Sequence, residues 1–139
     1  MRRRLMLLWT PVVLGLALLL PTTTLAASGY TYAVKSNYCS GNDSYFKVKE
    51  TAAGWTPANG LTIEMWAQWH PIGYGRWHTQ AGSYDEQHYY FPANGNKHYL
   101  TAWRWWYGDS GYWYRQVFKL HVWQGGYELA HKTLYSVKC

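Results

Sequence analysis

Seven carboxylates are the residues of this chain that could perform acid–base chemistry on a substrate: Asp43, Glu50, Glu64, Asp85, Glu86, Asp109 and Glu128. A glycosidase needs two carboxylates at a defined separation. Asp85 and Glu86 are neighbours in the sequence and would point to opposite faces of a strand. Glu64 is the best single candidate for a catalytic residue, but a solvated glutamate on the polar face of a strand is the simpler interpretation.

The histidines are scattered along the chain and form no recognised metal motif: His70, His78, His88, His98, His121 and His131. Neither the H-x-H nor the H-E-x-x-H spacing occurs, and the chain has no nucleophile elbow or phosphate-binding loop. His98 and His121 would face each other in the hairpin predicted below, but the sequence offers no third ligand. We therefore expect no metal and no cofactor, and an enzyme is not the favoured interpretation.

Residues 1–27 have the three zones of a secretory signal peptide. Arg2, Arg3 and Arg4 precede an apolar run over 5–20, and small polar residues follow it. This run is shorter than the roughly 20 apolar residues that a membrane span needs. The sequence predicts cleavage after Ala26 or Ala27, and a single secreted or periplasmic domain over 28–139 with no membrane span.

The charge of the mature domain gives little support to a nucleic-acid partner. The whole chain has a formal net charge of +6, and three of its basic residues leave with the leader. No nucleic-acid recognition motif accompanies the remaining mild excess of positive charge. Cys39 and Cys139 both lie in the mature domain. In an oxidising compartment two cysteines of a small secreted domain usually pair, so we predict a disulfide between them.

Strand signals dominate the mature domain, and no long segment keeps a helical apolar period. The candidate strands are 30–35, 44–50, 61–69, 74–79, 84–90, 97–107, 112–123 and 127–138. This pattern predicts an all-β fold, a small antiparallel two-sheet sandwich with a C-terminal β-meander, and a barrel is the alternative. The chain has 10 Trp, 14 Tyr and few aliphatic residues. We therefore expect a core built largely from aromatic side chains.

The meander prediction specifies which residues face each other. A hairpin loop over 108–111 places Trp106 opposite Trp113 and Arg104 opposite Arg115 on one outer face. A two-residue type I′ turn at Gly125–Gly126 would then place Val122 opposite Leu129 in the last hairpin.

The predicted outer face suggests a ligand. It combines Trp106, Trp113, Arg104 and Arg115, joined by two residues of a neighbouring strand, Trp66 and Gln68. Indole rings stack on the apolar faces of sugars, and the polar groups bind hydroxyls. Two facing arginines also favour an acidic or sulfated sugar, or a carboxylate of a protein partner. Tryptophan and arginine are equally common in protein interfaces.

The favoured hypothesis is therefore a secreted, non-catalytic module that binds glycans or a surface protein. A structural or self-assembling envelope protein is the alternative, and a small secreted hydrolase is the third.

Processing of the leader is directly testable. The exported protein should begin at Ala27 or Ser28, because the small residues before these positions suit signal peptidase. N-terminal sequencing of secreted material checks this expectation. Exported protein that still carries Arg2, Arg3 and Arg4 would contradict it.

Overall fold

The computed structural model describes residues 29–54, 56–92 and 95–139, so the predicted leader lies outside the described residues. The described chain is all β. Its strands are β1 (Tyr30–Ser40), β2 (Asp43–Ala52), β3 (Gly60–Pro71), β4 (His78–Thr79), β5 (Asp85–Tyr90), β6 (His98–Trp106), β7 (Tyr112–Gln124) and β8 (Tyr127–Tyr135). None of these residues forms a helix long and apolar enough to cross a membrane.

The strands form two open antiparallel sheets, which confirms the predicted two-sheet sandwich. The smaller sheet has three strands in the order β1-β2-β6. The larger sheet has five strands, in which β4 and β5 both pair with one edge of β3, and β7 and β8 follow on the other side. The longest pairing joins β3 to β7, from Gly60 opposite Trp123 to Pro71 opposite Tyr112.

The core between the sheets is mainly aliphatic, so the expectation of an aromatic core is wrong. Its central cluster consists of Phe46, Val48, Ile63, Met65, Ala102, Phe118 and Leu120. No tryptophan of the described chain is buried. Packed sheets lie only about 10 Å apart, and aliphatic side chains fill that layer without needing partners for indole N–H groups. Most of the large rings consequently lie on the outer faces or at the ends of the sandwich.

The predicted pairing of β6 with β7 is also wrong. β6 pairs with β2, with Arg104 opposite Phe46, whereas β7 pairs with β3, with Arg115 opposite Gln68. The segment between β6 and β7 therefore connects the two sheets instead of forming a hairpin. The facing pairs Trp106–Trp113, Arg104–Arg115 and His98–His121 do not form.

Gly108 explains why the chain crosses between the sheets at this point. A Cβ atom at this position would lie 2.3 Å from the carbonyl oxygen of Asn42 and 2.8 Å from the Tyr114 ring. The Gly108 N–H donates to Asp43 Oδ1 over 3.1 Å. Only glycine permits this close approach to the turn between β1 and β2. Gly108, which the sequence analysis placed in a hairpin loop, instead lies where the chain passes from one sheet to the other.

The last hairpin has the predicted two-residue connection but a different register. Gln124 lies opposite Tyr127, and a bulge after that point places Val122 opposite Ala130 instead of Leu129. Of the two glycines in the turn, only Gly125 has a positive φ, of 56°. A type I′ turn needs positive φ at both central residues, so this part of the prediction is wrong.

Two features join the sheets besides apolar packing. The buried Gln116 side chain of β7 donates from Nε2 to the backbone oxygens of Ser44, at 3.0 Å, and Arg104, at 3.1 Å. The predicted disulfide is confirmed: Cys39 at the end of β1 is bonded to Cys139, with a Cα–Cα distance of 5.5 Å. Backbone hydrogen bonds between Cys139 and Tyr114 of β7 hold the last residue against the larger sheet.

The disulfide should contribute strongly to stability. Replacing both Cys39 and Cys139 with serine should lower the free energy of unfolding by about 2–5 kcal/mol, because the bond closes a loop that contains most of the domain. Chemical denaturation of the variant and the oxidised protein measures the difference. Two alkylatable thiols in freshly purified wild-type protein would contradict the bond itself.

Glu50 is an unusual residue for an interior position. Its side chain is fully buried on the inner face of β2, opposite Tyr32, and neither carboxylate oxygen has a hydrogen-bond partner in the described chain. Burial raises the pKa of Glu50 to about 9. Burial also raises the pKa of Tyr32 to about 12, with a further contribution from Glu50. Glu50 is therefore a neutral carboxylic acid in the folded protein at neutral pH.

This buried acid should make stability fall with rising pH. An unfolded glutamate loses its proton near pH 4.5, whereas folded Glu50 keeps it to about pH 9. Its contribution is therefore fully present below about pH 4.5 and is lost progressively up to about pH 9. Glu50→Gln keeps the shape of the neutral acid, and it should stabilise the protein by roughly 2–4 kcal/mol at pH 8.

Thermal and chemical unfolding of both proteins at pH 5 and pH 8 tests this expectation. The gain from Glu50→Gln should shrink strongly at pH 5. An equal effect at both pH values would show that Glu50 is not the group responsible.

Candidate functional site

Four of the six predicted site residues lie together on the outer face of the larger sheet. The inward positions of β3 and β7 form the core, so the alternate residues face outward. Trp66 and Gln68 of β3 and Trp113 and Arg115 of β7 share this face. Arg115 Nε donates to Gln68 Oε1 over 2.8 Å. Of the two neighbouring-strand residues proposed from the sequence, Gln68 is therefore the direct cross-strand neighbour of Arg115, and Trp66 lies opposite Val117.

Arg115 is held between two aromatic rings that the sequence analysis missed. Its guanidinium lies 4.2 Å from the Trp77 ring and 4.4 Å from the Tyr135 ring. Lys138 Nζ lies 4.6 Å from the Trp113 ring. A depression of about 330 Å³ at this end of the face is lined by His70, Gly73, Trp77, Trp113 and Lys138. We call it the basic depression.

The other two predicted residues, Arg104 and Trp106, belong to the smaller sheet. They follow Leu100 and Ala102 on the inner side of β6, and the Arg104 guanidinium lies 4.8 Å from the Trp106 ring. Arg104 Nη1 and Trp106 Nε1 are buried without a hydrogen-bond partner in the described chain. Burial lowers the pKa of Arg104. These two residues therefore do not share a surface with Trp113 and Arg115.

A hydrogen-bonded series of carboxylates and imidazoles crosses the other end of the larger sheet. His121 Nε2 lies 2.7 Å from Glu64 Oε2, and its Nδ1 contacts Glu128 Oε2. Glu128 Oε1 is 2.6 Å from His131 Nδ1. A doubly protonated His121 ring can donate to both carboxylates. The hydrogen bond from His121 lowers the pKa of Glu128.

The hydrogen-bonded series of side chains continues on the opposite side of β3. Tyr84 Oη lies 3.0 Å from Glu64 Oε1 and 2.8 Å from Glu86 Oε2. Glu86 Oε1 is 2.9 Å from His88 Nε2, and His88 Nδ1 is 3.0 Å from Thr62 Oγ1. The hydrogen bond with His88 lowers the pKa of Glu86, while that with Glu86 raises the pKa of Tyr84.

A second depression, of about 430 Å³, lies over these residues, and we call it the triad depression after three residues of its lining that hydrogen-bond in series, Thr62, His88 and Glu86. Thr62, Glu64 and His121 are among the residues that line it. Tyr90 and Trp123 also contribute to its lining. Within the described ranges no group of three or more His, Cys, Asp or Glu side chains is placed to hold a metal ion.

The outer face of the smaller sheet carries a row of aromatic rings that the sequence analysis did not identify. Ring centroids are 6.1 Å apart between Trp103 and Tyr45, 5.2 Å between Tyr45 and Trp105, and 5.7 Å between Trp105 and Tyr38. Tyr99 lies on the same face of β6, with Thr101 between it and Trp103. We call these five residues the platform.

Three of the five platform residues are exposed, and positive charges lie beside them. Tyr38, Trp103 and Tyr99 are 47%, 56% and 59% exposed. Lys49 Nζ lies 4.2 Å above the Tyr99 ring, and Lys47 is the cross-strand neighbour of Trp103. The outward positions from 45 to 51 and from 99 to 105 include no carboxylate.

Comparisons with known proteins reveal no relationship that defines a function. No protein-family profile and no curated protein matches the chain. Two solved structures of a β-glucosidase from Kluyveromyces marxianus, one of selenomethionine-labelled protein and one in complex with glucose, align with TM-scores of 0.34 and 9% identity. The alignments cover 78% and 79% of this chain and 14% of each β-glucosidase chain. A TM-score this low supports no conclusion about activity.

Proposed function

We propose that this chain is a secreted glycan-binding module and that its principal binding surface is the platform. The observation that carries the proposal is the continuous row of rings from exposed Trp103 through half-buried Tyr45 and Trp105 to exposed Tyr38. Water-exposed aromatic patches of this kind on a soluble protein usually mark an interaction site. Sugar rings present apolar C–H faces that stack on tyrosine and tryptophan, so a polysaccharide can lie along the row.

The charges around the platform favour an anionic glycan. Lys47 and Lys49 face outward beside Trp103 and Tyr99, and the outward positions around them carry no opposing carboxylate. Their ammonium groups can pair with the carboxylate of a uronic acid or with a sulfate, while the rings stack on the sugar. The ion pairs would be exposed and therefore weakened by salt.

The alternative proposal, a self-assembling structural protein, uses the same exposed rings. A second copy could cover the platform, because aromatic residues also form the centres of protein interfaces. The lysines argue against a close symmetric contact, since Lys47 and Lys49 would approach their own counterparts. The two proposals differ in whether a glycan or the protein concentration controls the occupancy of the platform.

Substitution at the platform tests the proposal. A glycan array first identifies a sulfated or uronic-acid oligosaccharide that binds the protein. Trp103→Ala should then weaken binding to this oligosaccharide by about 1–3 kcal/mol, as measured by calorimetry. The fold should persist, because the Trp103 side chain is largely exposed. Tyr127→Ala removes an even more exposed ring from the other sheet and should leave the affinity unchanged.

Trp113→Ala in the basic depression is the second comparison. Loss of affinity in this variant alone would move the site to the outer face of the larger sheet and contradict the platform. Self-assembly would be supported instead if no glycan on the array binds the protein and if the protein forms concentration-dependent oligomers that Trp103→Ala abolishes.

A further inference from the structure

We propose that Thr62, His88 and Glu86 form a hydroxyl–imidazole–carboxylate triad that hydrolyses short, uncharged acyl esters in the triad depression. This activity belongs to the larger sheet and does not depend on glycan binding at the platform. It is distinct from the glycosidase chemistry that the carboxylates alone suggested.

The three side chains meet the geometric requirements of an activated nucleophile. Thr62 Oγ1 lies 3.0 Å from His88 Nδ1, and His88 Nε2 lies 2.9 Å from Glu86 Oε1. A nucleophile in hydrogen-bond contact with a base, and a base oriented by a carboxylate, define this constellation independently of fold or residue order. Thr62 lies on β3 and the other two residues on β5, and the pairing places Thr62 directly opposite His88.

Hydrogen bonds from neighbouring residues keep the Glu86 carboxylate in place and ionised. Tyr84 Oη lies 2.8 Å from the second oxygen of the Glu86 carboxylate. The hydrogen bonds from His88 and Tyr84 keep the pKa of Glu86 low, so the carboxylate stays ionised and can stabilise a protonated His88 ring. Tyr84 is therefore a positioning residue for Glu86.

The surroundings of Thr62 suit the charge that develops during acyl transfer. Trp123 Nε1 donates to Thr62 Oγ1 over 3.1 Å, which stabilises negative charge on the attacking oxygen. Lys119 also lines the triad depression and supplies a positive charge for the oxyanion of a bound ester. Thr62 lines the depression and is only 5% exposed.

The reaction balances with water as the only co-reactant. Thr62 Oγ1 attacks the ester carbonyl carbon while His88 Nδ1 takes the hydroxyl proton. The bond between the carbonyl carbon and the alkoxy oxygen of the ester then breaks, and the alcohol leaves with the proton that His88 Nδ1 returns. Water attacks the acyl-threonine, transfers a proton to His88 and releases the carboxylic acid as Thr62 Oγ1 regains its proton.

The lining of the depression limits the acyl group. The carboxylates of Glu64 and Glu86 repel an anionic acyl chain and also favour the departure of the acid product, which is ionised at neutral pH. Tyr90 and Trp123 provide apolar surface for the remainder of the ester. An acetyl ester of a hydroxylated compound fits these conditions.

Hydrolysis of 4-nitrophenyl acetate by the disulfide-bonded mature protein tests the inference. Thr62→Val keeps the β-branched shape without the hydroxyl and should reduce the rate to that of buffer. His88→Ala should lower the rate roughly 10²- to 10⁴-fold. Thr62→Ser retains the nucleophile and should remain active. His78→Ala removes a histidine that stacks on Trp69 and does not line the triad depression, so it should change the rate less than about twofold.

Covalent labelling gives a readout that does not require a folded variant. A fluorophosphonate probe should modify the wild-type protein at Thr62, as identified by peptide mass spectrometry. Wild-type protein that hydrolyses the ester no faster than buffer overturns the inference. Undiminished hydrolysis by Thr62→Val, or labelling only at other residues, overturns it as well.

Discussion

The pairing of β3 with β7 determines both surfaces of the larger sheet at once. Because side chains alternate along each strand, placing Ile63 and Phe118 in the core places Glu64 and Lys119 outside. A shift of one residue would exchange the two sets, bury several charges and expose the core, so the apolar layer protects the register. The contacts of His121 with Glu64 and of Arg115 with Gln68 are consequences of this pairing.

Because the core is mainly aliphatic, most tryptophan and tyrosine side chains lie outside it. Phe46 and Phe118 meet in its centre with ring centroids 4.8 Å apart, and small residues such as Ala102 fit around them. Polar side chains also enter this layer, since Gln116 links the sheets and Glu50 remains without a partner in the described chain. Such groups cost stability when buried, and only Gln116 recovers part of that cost through hydrogen bonds.

The fold class could be predicted from the sequence because alternation and turn residues are local signals. The disulfide could also be predicted, since the chain has only two cysteines, Cys39 and Cys139. The pairing of β6 could not, because a strand followed by a glycine-containing loop looks the same whether the chain folds back or crosses to another sheet. The wrong pairing placed Arg104 opposite Arg115, whereas the structure puts these residues on different sheets. Gln68 and Arg115 were correctly placed on one face.

The triad depression and the platform could not be read from the sequence for a related reason. Thr62 and His88 are distant in the chain and become neighbours only when β5 pairs with β3. Tyr45 and Trp105 likewise require the pairing of β2 with β6. Strand partners depend on long-range packing, so the residues of both surfaces appear scattered until the topology is known.

The bond between Cys39 and Cys139 turns most of the domain into a covalent ring. A protease that cuts one peptide bond within this ring produces two segments that remain joined, and the paired strands stay aligned beside the cut. Exposed connections such as the one around Gly73 and Gly75 can therefore be nicked without releasing a fragment. Such a molecule would migrate as a single species until a reductant separates the pieces, so in an oxidising solution it would outlast a comparable open chain.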